Sequence, residues 1–107
     1  GSSGNAALVR SGGTAVLVDA GLSARQLTAR LAACGVTPGD LSGVLVTHEH
    51  GDHTGALRVL LAKHRLPVYC NALTGRALRD AGLAHDDWRV FQNGGEFAVG
   101  DLRVRAF

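Results

Sequence analysis

Short apolar runs separated by turn residues predict the strands of this chain. The runs at 6–10 and 14–19 flank Ser11-Gly12-Gly13, a spacing that predicts a β-hairpin. The runs at 43–47 and 66–70 are rich in apolar residues and short enough to be buried strands. The runs at 14–19, 43–47 and 66–70 are each followed by a stretch with the periodicity of a helix.

Three of the stretches between the strands have the pattern of helices. The first begins at Ser23, where Gln26 completes a capping box. The second covers 53–64, and the third begins after the capping residue Asn71 and ends at Gly82. The apolar face of the first helix is formed by Ala24, Leu27, Leu31 and Cys34.

The last part of the chain predicts two more pieces of sheet. The segment 88–91 is a strand candidate, and 96–107 alternates in polarity around Gly100-Asp101, which predicts a second hairpin. Alternation of strands and helices throughout predicts an α/β fold with helices packed on a sheet. At 107 residues the chain is one domain at most.

Composition narrows the class of protein. Hydrophobic residues make up 46% and charged residues 19%, which excludes a disordered chain. The net charge of +2 does not by itself indicate a nucleic-acid partner. No signal peptide or membrane-length apolar run is visible, so a cytoplasmic location is expected. The absence of Met predicts that the chain begins inside a longer gene product or at a processing boundary.

The two cysteines, Cys34 and Cys70, have no repeating spacing. In a cytoplasmic protein such residues are expected to be free thiols. Because a free cysteine behaves as a small hydrophobic residue, both are predicted to be buried.

The candidate chemistry lies in the segment Thr47-His48-Glu49-His50-Gly51-Asp52-His53, which contains three of the five His. It follows an apolar strand, and ligand sites of α/β proteins lie at such strand ends. His48 and His50 point the same way on an extended chain and can share one ion. Gly51 permits a turn that brings Asp52 and His53 to a second ion. The donors suit two divalent ions, Zn(II) first, and also Mn(II) or Fe(II).

Two alternatives for this segment are weaker. A solvated loop has no reason to concentrate metal-binding side chains this densely. The His-Glu-x-x-His helix of zinc peptidases would need histidine at position 52, where this chain has Asp52.

The motif Thr-His-x-His-x-Asp-His after an apolar strand resembles the metal signature of the metallo-β-lactamase superfamily. Val18-Asp19-Ala20-Gly21 resembles the first Asp-Gly element of that superfamily. Together with Gly1-Ser2-Ser3-Gly4-Asn5 and the segments 18–23 and 46–53, these motifs are similar to the WalJ/YycJ-like branch, near the PhnP-type phosphodiesterases.

The resemblance implies an αββα sandwich of which residues 1–107 are the N-terminal half. It implies that His48 and His50 bind one metal and that Asp52 and His53 bind the other. Such proteins complete the site with a further His, a bridging Asp and a last His, which this chain does not contain. His64 and His85 do not match those positions and are expected to be ordinary exposed residues.

The resemblance also assigns supporting roles. Asp19 would accept a hydrogen bond that orients a ligand imidazole, although an Asp at a strand end is often a turn residue. Thr47 could act in the same way through its hydroxyl, or be an ordinary strand-end residue. Glu49 is expected to point to solvent.

Substrate contacts are less well defined by the sequence. Ser2, Ser3 and Asn5 could meet a phosphate, or they could form a glycine-rich strand entry. A set of basic side chains could attract phosphate, although a solvated helix face is the more common meaning. This set is Arg58, Lys63, Arg65, Arg76 and Arg79.

The leading hypothesis is a binuclear metal-dependent hydrolase, of phosphodiesterase or nuclease type, that uses a hydroxide bridging the two ions. Asp52 would hold the second metal and help to orient the hydroxide. A thioester or lactam hydrolase on the same site is the first alternative. A flavodiiron-like role is weaker, because that branch resembles His-x-Glu-x-Asp and position 50 is His50. The third alternative is an incomplete fragment whose exposed sheet is covered by its C-terminal half, by a partner chain or in an oligomer.

Overall fold

The computed structural model describes residues 6–47 and 54–106. The strands are β1 (Ala7–Ser11), β2 (Thr14–Val18), β3 (Gly43–Leu45), β4 (Val68–Asn71), β5 (Trp88–Phe91), β6 (Glu96–Val99) and β7 (Leu102–Arg105). The helices are α1 (Ala24–Ala33), α2 (Thr54–Lys63) and α3 (Ala72–Asp80), with a 3-10 turn at Pro38–Asp40. Within the described ranges, none of the helices combines the length and the apolar character that a membrane span requires.

Strands β1 to β5 form one sheet in sequence order. β1 is antiparallel to β2, which confirms the first predicted hairpin, and the other neighbours are parallel. β6 and β7 form a separate antiparallel pair, which confirms the second hairpin. The predicted α/β class is therefore correct, and all parallel strands end at the same edge of the sheet.

The larger sheet has an apolar core on each face. On one face it packs against the helices, and on the other against the β6–β7 hairpin. The four largest fully buried side chains lie on β2, β3 and β4 and are Leu17, Val44, Val68 and Cys70. Helices, sheet and hairpin thus form three successive layers, which are the first three layers of the predicted sandwich.

Local capping residues set the ends of the helices, as the sequence predicts. The Ser23 hydroxyl accepts a hydrogen bond from the backbone N–H of Gln26 at 3.2 Å, and the Gln26 side chain accepts one from the N–H of Ser23 at 3.3 Å. Asn71 Oδ1 accepts from the N–H of Thr74 at 2.8 Å. Gly82, after α3, has φ +93°, a conformation that glycine adopts without strain.

The prediction for the two cysteines is half wrong. Cys70 is buried, but Cys34 is exposed. The helix ends at Ala33, and Cys34 is the C-cap residue with φ −95° and ψ 5°. Because Cys34 has left the helical conformation, its side chain no longer lies on the apolar face.

The expectation that His64 and His85 are exposed is also wrong, since both are half-buried. His85 Nε2 and the carbonyl oxygen of Leu66 form a hydrogen bond of 2.8 Å. Its edge meets the ring of Trp88 at a centroid distance of 5.7 Å, and Trp88 Nε1 donates to the His85 carbonyl at 2.8 Å. His85 therefore holds the loop before β5 against the start of β4.

Two members of the basic set are engaged in the fold. Arg58 donates hydrogen bonds of 3.0 Å to the carbonyls of Gly82 and Ala81, so its cation stabilises the C-terminal end of α3. The guanidinium of Arg79 lies 5.3 Å from the ring centre of Trp88, within cation–π range. These two guanidinium groups therefore contact other parts of the fold, which neither interpretation of the sequence predicts.

Candidate metal centre

The ends of β2 and β3 lie side by side because the two strands are parallel, with Val18 opposite Leu45. The chain leaves both strands at the same edge of the sheet. Asp19 continues the pairing by one more step, since its backbone N–H donates to the carbonyl of Leu45 at 2.7 Å. This register places the residue after β2 beside the segment that leads to His48.

The carboxylate of Asp19 binds Thr47 at two points. Its Oδ1 accepts a hydrogen bond from the backbone N–H of Thr47 at 2.9 Å, and its Oδ2 accepts one from the Thr47 hydroxyl at 2.6 Å. Hydrogen bonds to an ionised acceptor are stronger than those between neutral groups. The two residues are 28 positions apart in the chain, so this contact fixes where the strand end meets the next segment.

The backbone of Asp19 is strained. Among the residues that the structure describes, it is the single non-glycine residue with positive φ, at +61°. The left-handed conformation costs an L-residue roughly 1–2 kcal/mol, although Asp tolerates it better than most. Strained residues concentrate at functional sites, where the surrounding contacts maintain them. Here the maintaining contacts are those with Leu45 and Thr47.

The four predicted metal ligands, His48, His50, Asp52 and His53, lie outside the described residues. The six positions 48–53 connect Thr47, held by Asp19, to the start of α2 at Thr54. Within 6–47 and 54–106, no three His, Cys, Asp or Glu side chains group closely enough to hold an ion. The metal ligands predicted from the sequence are all in the segment 48–53 and stay a prediction.

The donor types in that segment fit a divalent metal. The three imidazoles and one carboxylate of the four predicted ligands match the ligands that Zn(II) takes in hydrolytic enzymes, and Mn(II) or Fe(II) accept the same set. The predicted substrate residues Ser3 and Asn5, with Ser2, also lie outside the described ranges.

A pocket of about 230 Å³ opens beside Thr47, at the ends of β3, β4, β5 and β7. Its lining consists of Leu45, Thr47, Asn71, Phe91, Asn93, Val104, Arg105 and Ala106. Phe91, Asn93 and Arg105 are not predicted from the sequence as site residues, and Asn71 is predicted only as a helix cap. The signal in the sequence that could have found them is their position, because each residue ends or follows a predicted strand, and ligands of α/β proteins bind at strand ends.

Two polar contacts at this pocket are long, in contrast to the short bonds of Thr47 to Asp19 and of Asn71 Oδ1 to Thr74. Asn71 Nδ2 donates to Asn93 Oδ1 at 3.4 Å. The guanidinium of Arg105 lies 3.5 Å from the carboxylate of Glu96, and both side chains are about half exposed or more. An exposed pair of this kind contributes roughly 0–1 kcal/mol.

The perturbed carboxyl groups lie at the opposite edge of the sheet, before β3 and β5. Hydrogen bonds from the backbone and side chain of Thr37 lower the pKa of Asp40. The hydrogen bond from Arg89 lowers the pKa of Asp87. Both carboxylates therefore serve local structure away from the candidate centre.

Comparison with known proteins identifies the family of this chain. The family model of the metallo-β-lactamase superfamily matches residues 1–106. The chain is 38% identical over 109 residues to exodeoxyribonuclease YycJ of Bacillus anthracis, covering 100% of this chain and 41% of the relative. It is 33% identical over 111 residues to exodeoxyribonuclease WalJ of Streptococcus pneumoniae serotype 2, with the same coverage of both chains.

Two further similarities extend the comparison. Hydroxyacylglutathione hydrolase of Halorhodospira halophila is 37% identical over 100 residues, which is 94% of this chain and 34% of that protein. Among solved structures, the Rm3 metallo-β-lactamase superposes with a TM-score of 0.77 and 29% identity, over 94% of this chain and 44% of that chain. The chain thus spans about two fifths of the curated relatives that it matches. Family model, relatives and fold agree, and the chain belongs to the metallo-β-lactamase superfamily.

Proposed function

We propose that this chain forms the N-terminal part of a metal-dependent phosphodiesterase of nuclease type. The metal ligands are His48, His50, Asp52 and His53, and two divalent ions, Zn(II) first, are the cofactors. The observation that carries the proposal is the pair of hydrogen bonds from Thr47 to Asp19, directly before the first ligand. A fold that holds this point with a strained residue is arranged to present the segment that begins at His48.

The residues of the chain have distinct roles in this proposal. Two divalent ions would supply an activated hydroxide and would offset negative charge on the phosphoryl oxygens. Asp52 would hold the second ion and help to orient the attacking hydroxide. Asp19 and Thr47 are positioning residues, which fix the direction in which the ligand segment leaves the sheet.

The phosphodiester substrate is supported by two observations. Two relatives that match over the whole chain are named exodeoxyribonucleases, and the pocket beside Thr47 is lined by Asn71 and Asn93, whose carboxamides suit the edge of a base. The similarity to a hydroxyacylglutathione hydrolase favours the thioester alternative. The ligand residues are shared by both reactions, so the substrate assay has to separate them. A cytoplasmic location and an oligomer that covers the exposed sheet stay predictions.

The test uses the full-length protein that contains this chain, purified with Zn(II) or Mn(II). We expect hydrolysis of bis(p-nitrophenyl) phosphate and of 5′-labelled single-stranded DNA. Asp52→Ala should lower both rates at least about 100-fold, since even outer residues of metal sites affect activity by 10- to 100-fold. Metal content per chain should fall in the same variant.

Glu49→Gln is the matched control. It also removes a carboxylate from the segment, but at the position expected to point to solvent, so both rates should stay near those of the wild type. An Asp52→Ala protein that cleaves DNA at the wild-type rate would refute the proposal. Hydrolysis of thioesters alone would replace it with the alternative.

A further inference from the structure

Three aromatic rings form a ladder between the sheet and the β6–β7 hairpin. Phe97 stacks on Tyr69 with a centroid distance of 5.3 Å and an angle of 11° between the rings. Phe91 stacks on the same Phe97 at 4.9 Å and 14°. Phe97 is therefore the middle ring, and Phe91 and Tyr69 are the two ends.

The ladder ends at the pocket beside the candidate metal centre. Phe91 lines this pocket, whereas Phe97 and Tyr69 do not. A flat ring that enters the pocket can therefore continue the ladder against Phe91 as a fourth layer. Stacking on aromatic side chains is the way in which proteins hold unpaired bases of single strands.

The size of the pocket suits one base. Its volume of about 230 Å³ is below the roughly 300–1,000 Å³ of pockets that enclose whole small molecules. A base can enter while its sugar and phosphates stay outside. Because Thr47 lines the pocket and precedes His48, the phosphates of such a nucleotide would lie toward the metal-binding segment.

A polar side chain of the pocket matches the edge of a base. Asn71 and Asn93 line the pocket, and Asn71 Nδ2 donates to Asn93 Oδ1 at 3.4 Å. Asn71 Oδ1 caps α3, whereas Asn93 is exposed, and its carboxamide offers both the donors and the acceptors that base edges require.

We propose that this pocket is a nucleobase subsite, in which one unstacked base of single-stranded DNA lies against Phe91 with the carboxamide of Asn93 at its edge. The inference rests on the proposed nuclease function, because it places the base next to the phosphodiester that the metal segment would cleave. It adds a substrate contact that involves neither the metal ligands nor Asp19.

The experiment measures binding without turnover. A fluorescein-labelled 12-mer of single-stranded DNA with nuclease-resistant phosphorothioate linkages is titrated with the metal-loaded full-length protein, followed by matching 12-mers that each carry one abasic site. Wild-type protein should bind one abasic 12-mer roughly 5- to 150-fold more weakly, the range that one aromatic–base stack contributes. Phe91→Leu should weaken binding of the intact 12-mer to a similar extent and should no longer respond to that abasic site.

Two variants separate stacking from structure. Phe91→Tyr keeps the ring and should bind like the wild type. Phe97→Leu removes the middle ring of the ladder outside the pocket and should also retain affinity. Should Phe91→Leu prove unfolded by circular dichroism, Asn93→Ala, an exposed residue outside the strands, gives the same test, since it should weaken the intact 12-mer but not the abasic one.

The subsite is refuted if Phe91→Leu binds as the wild type does, if Phe97→Leu weakens binding equally, or if the loss is the same for intact and abasic DNA. Hydrolysis of bis(p-nitrophenyl) phosphate, which has no base, is measured in parallel on wild-type protein. If the wild-type protein does not hydrolyse bis(p-nitrophenyl) phosphate, the proposed function is refuted. If hydrolysis occurs but the binding pattern does not, the subsite alone is refuted.

Discussion

Asp19 combines a strained backbone conformation with a side chain that binds a distant segment of the chain. The sequence indicates an acid at the end of a strand, which is compatible with an ordinary turn. The structure adds a left-handed backbone and a carboxylate that receives two hydrogen bonds from Thr47. Neither feature is visible in a residue pattern, because Thr47 is 28 positions away.

Substitutions at Asp19 should separate the two features. Asp19→Asn keeps the shape and one acceptor and should cost less than about 1 kcal/mol of the free energy of unfolding. Asp19→Ala loses both hydrogen bonds and keeps the strain, so we expect a loss of about 2–3 kcal/mol. Asp19→Gly should fall between them because glycine relieves the strain.

Urea unfolding of the full-length protein measures these differences. If Asp19 positions the ligand segment, the Ala and Gly variants should also hydrolyse bis(p-nitrophenyl) phosphate about 10- to 100-fold more slowly. Wild-type activity in Asp19→Ala would show that the contact with Thr47 serves stability alone.

The two cysteines should differ in reactivity. Burial raises the pKa of the Cys70 thiol, and nearby Arg79 offsets this only in part, so its reactive thiolate is scarce at neutral pH. Cys34 is exposed. At pH 8, Cys34 should react quickly with Ellman's reagent, and Cys70 should react only after denaturation.

Cys34→Ser is the control for this assignment, since it should abolish the fast reaction and leave the slow one. The sign of the pH effect is set by the raised pKa. The folded state favours the neutral thiol of Cys70, so its contribution to stability is complete at neutral pH and is lost as the pH rises through the raised pKa. Rapid labelling of Cys70 in the folded protein would contradict its burial.

At the scale of elements, the features set by neighbouring residues were predicted best. The capping box of α1, the Asn71 cap of α3 and both hairpin turns form within a few positions of the chain. The errors arose at element ends. The apolar period predicts a helix through Cys34, but the helix ends one residue earlier, because Gly35 takes φ +75° and terminates it.

Removal of the capping box of α1 should lower the stability of the protein measurably. Ser23→Ala removes the acceptor for the N–H of Gln26 and should lower the free energy of unfolding by about 1 kcal/mol. Ser23→Asp keeps an acceptor and should stay near the wild type. The midpoints of urea unfolding test the pair, and equal losses in both variants would mean that the cap is not the source of the effect.

At the scale of the whole molecule, the two sheets are joined at the edge opposite the candidate centre. The buried Thr14 of β2 accepts a hydrogen bond at 2.9 Å from the backbone N–H of Asp101, 87 positions later. A Cβ on Gly100 would collide with Thr14, so the hairpin turn approaches β2 more closely than another residue would allow. This contact holds the turn between β6 and β7 against the start of β2.

Thr14→Val should loosen the hairpin. It preserves the shape of the side chain but leaves the N–H of Asp101 without its acceptor, for an expected loss of about 1–3 kcal/mol. Thr14→Ser keeps the hydroxyl and should retain most of the stability. Amide hydrogen exchange in β6 and β7 provides the readout, and unchanged protection in Thr14→Val would show that packing alone holds the hairpin.

The sequence by itself determined the kinds of elements, their order and the segment that carries the candidate metal ligands, because periodicity, caps and residue chemistry act over a few positions. It also indicated the superfamily, through the motifs around Asp19 and His48. Tertiary structure alone decided that Asp19 binds Thr47, that His85 is engaged by Leu66 and Trp88, and that Phe91, Asn93 and Arg105 share a pocket. These residues are brought together by parallel strand register and sheet packing, and such distances in space have no counterpart in local sequence patterns.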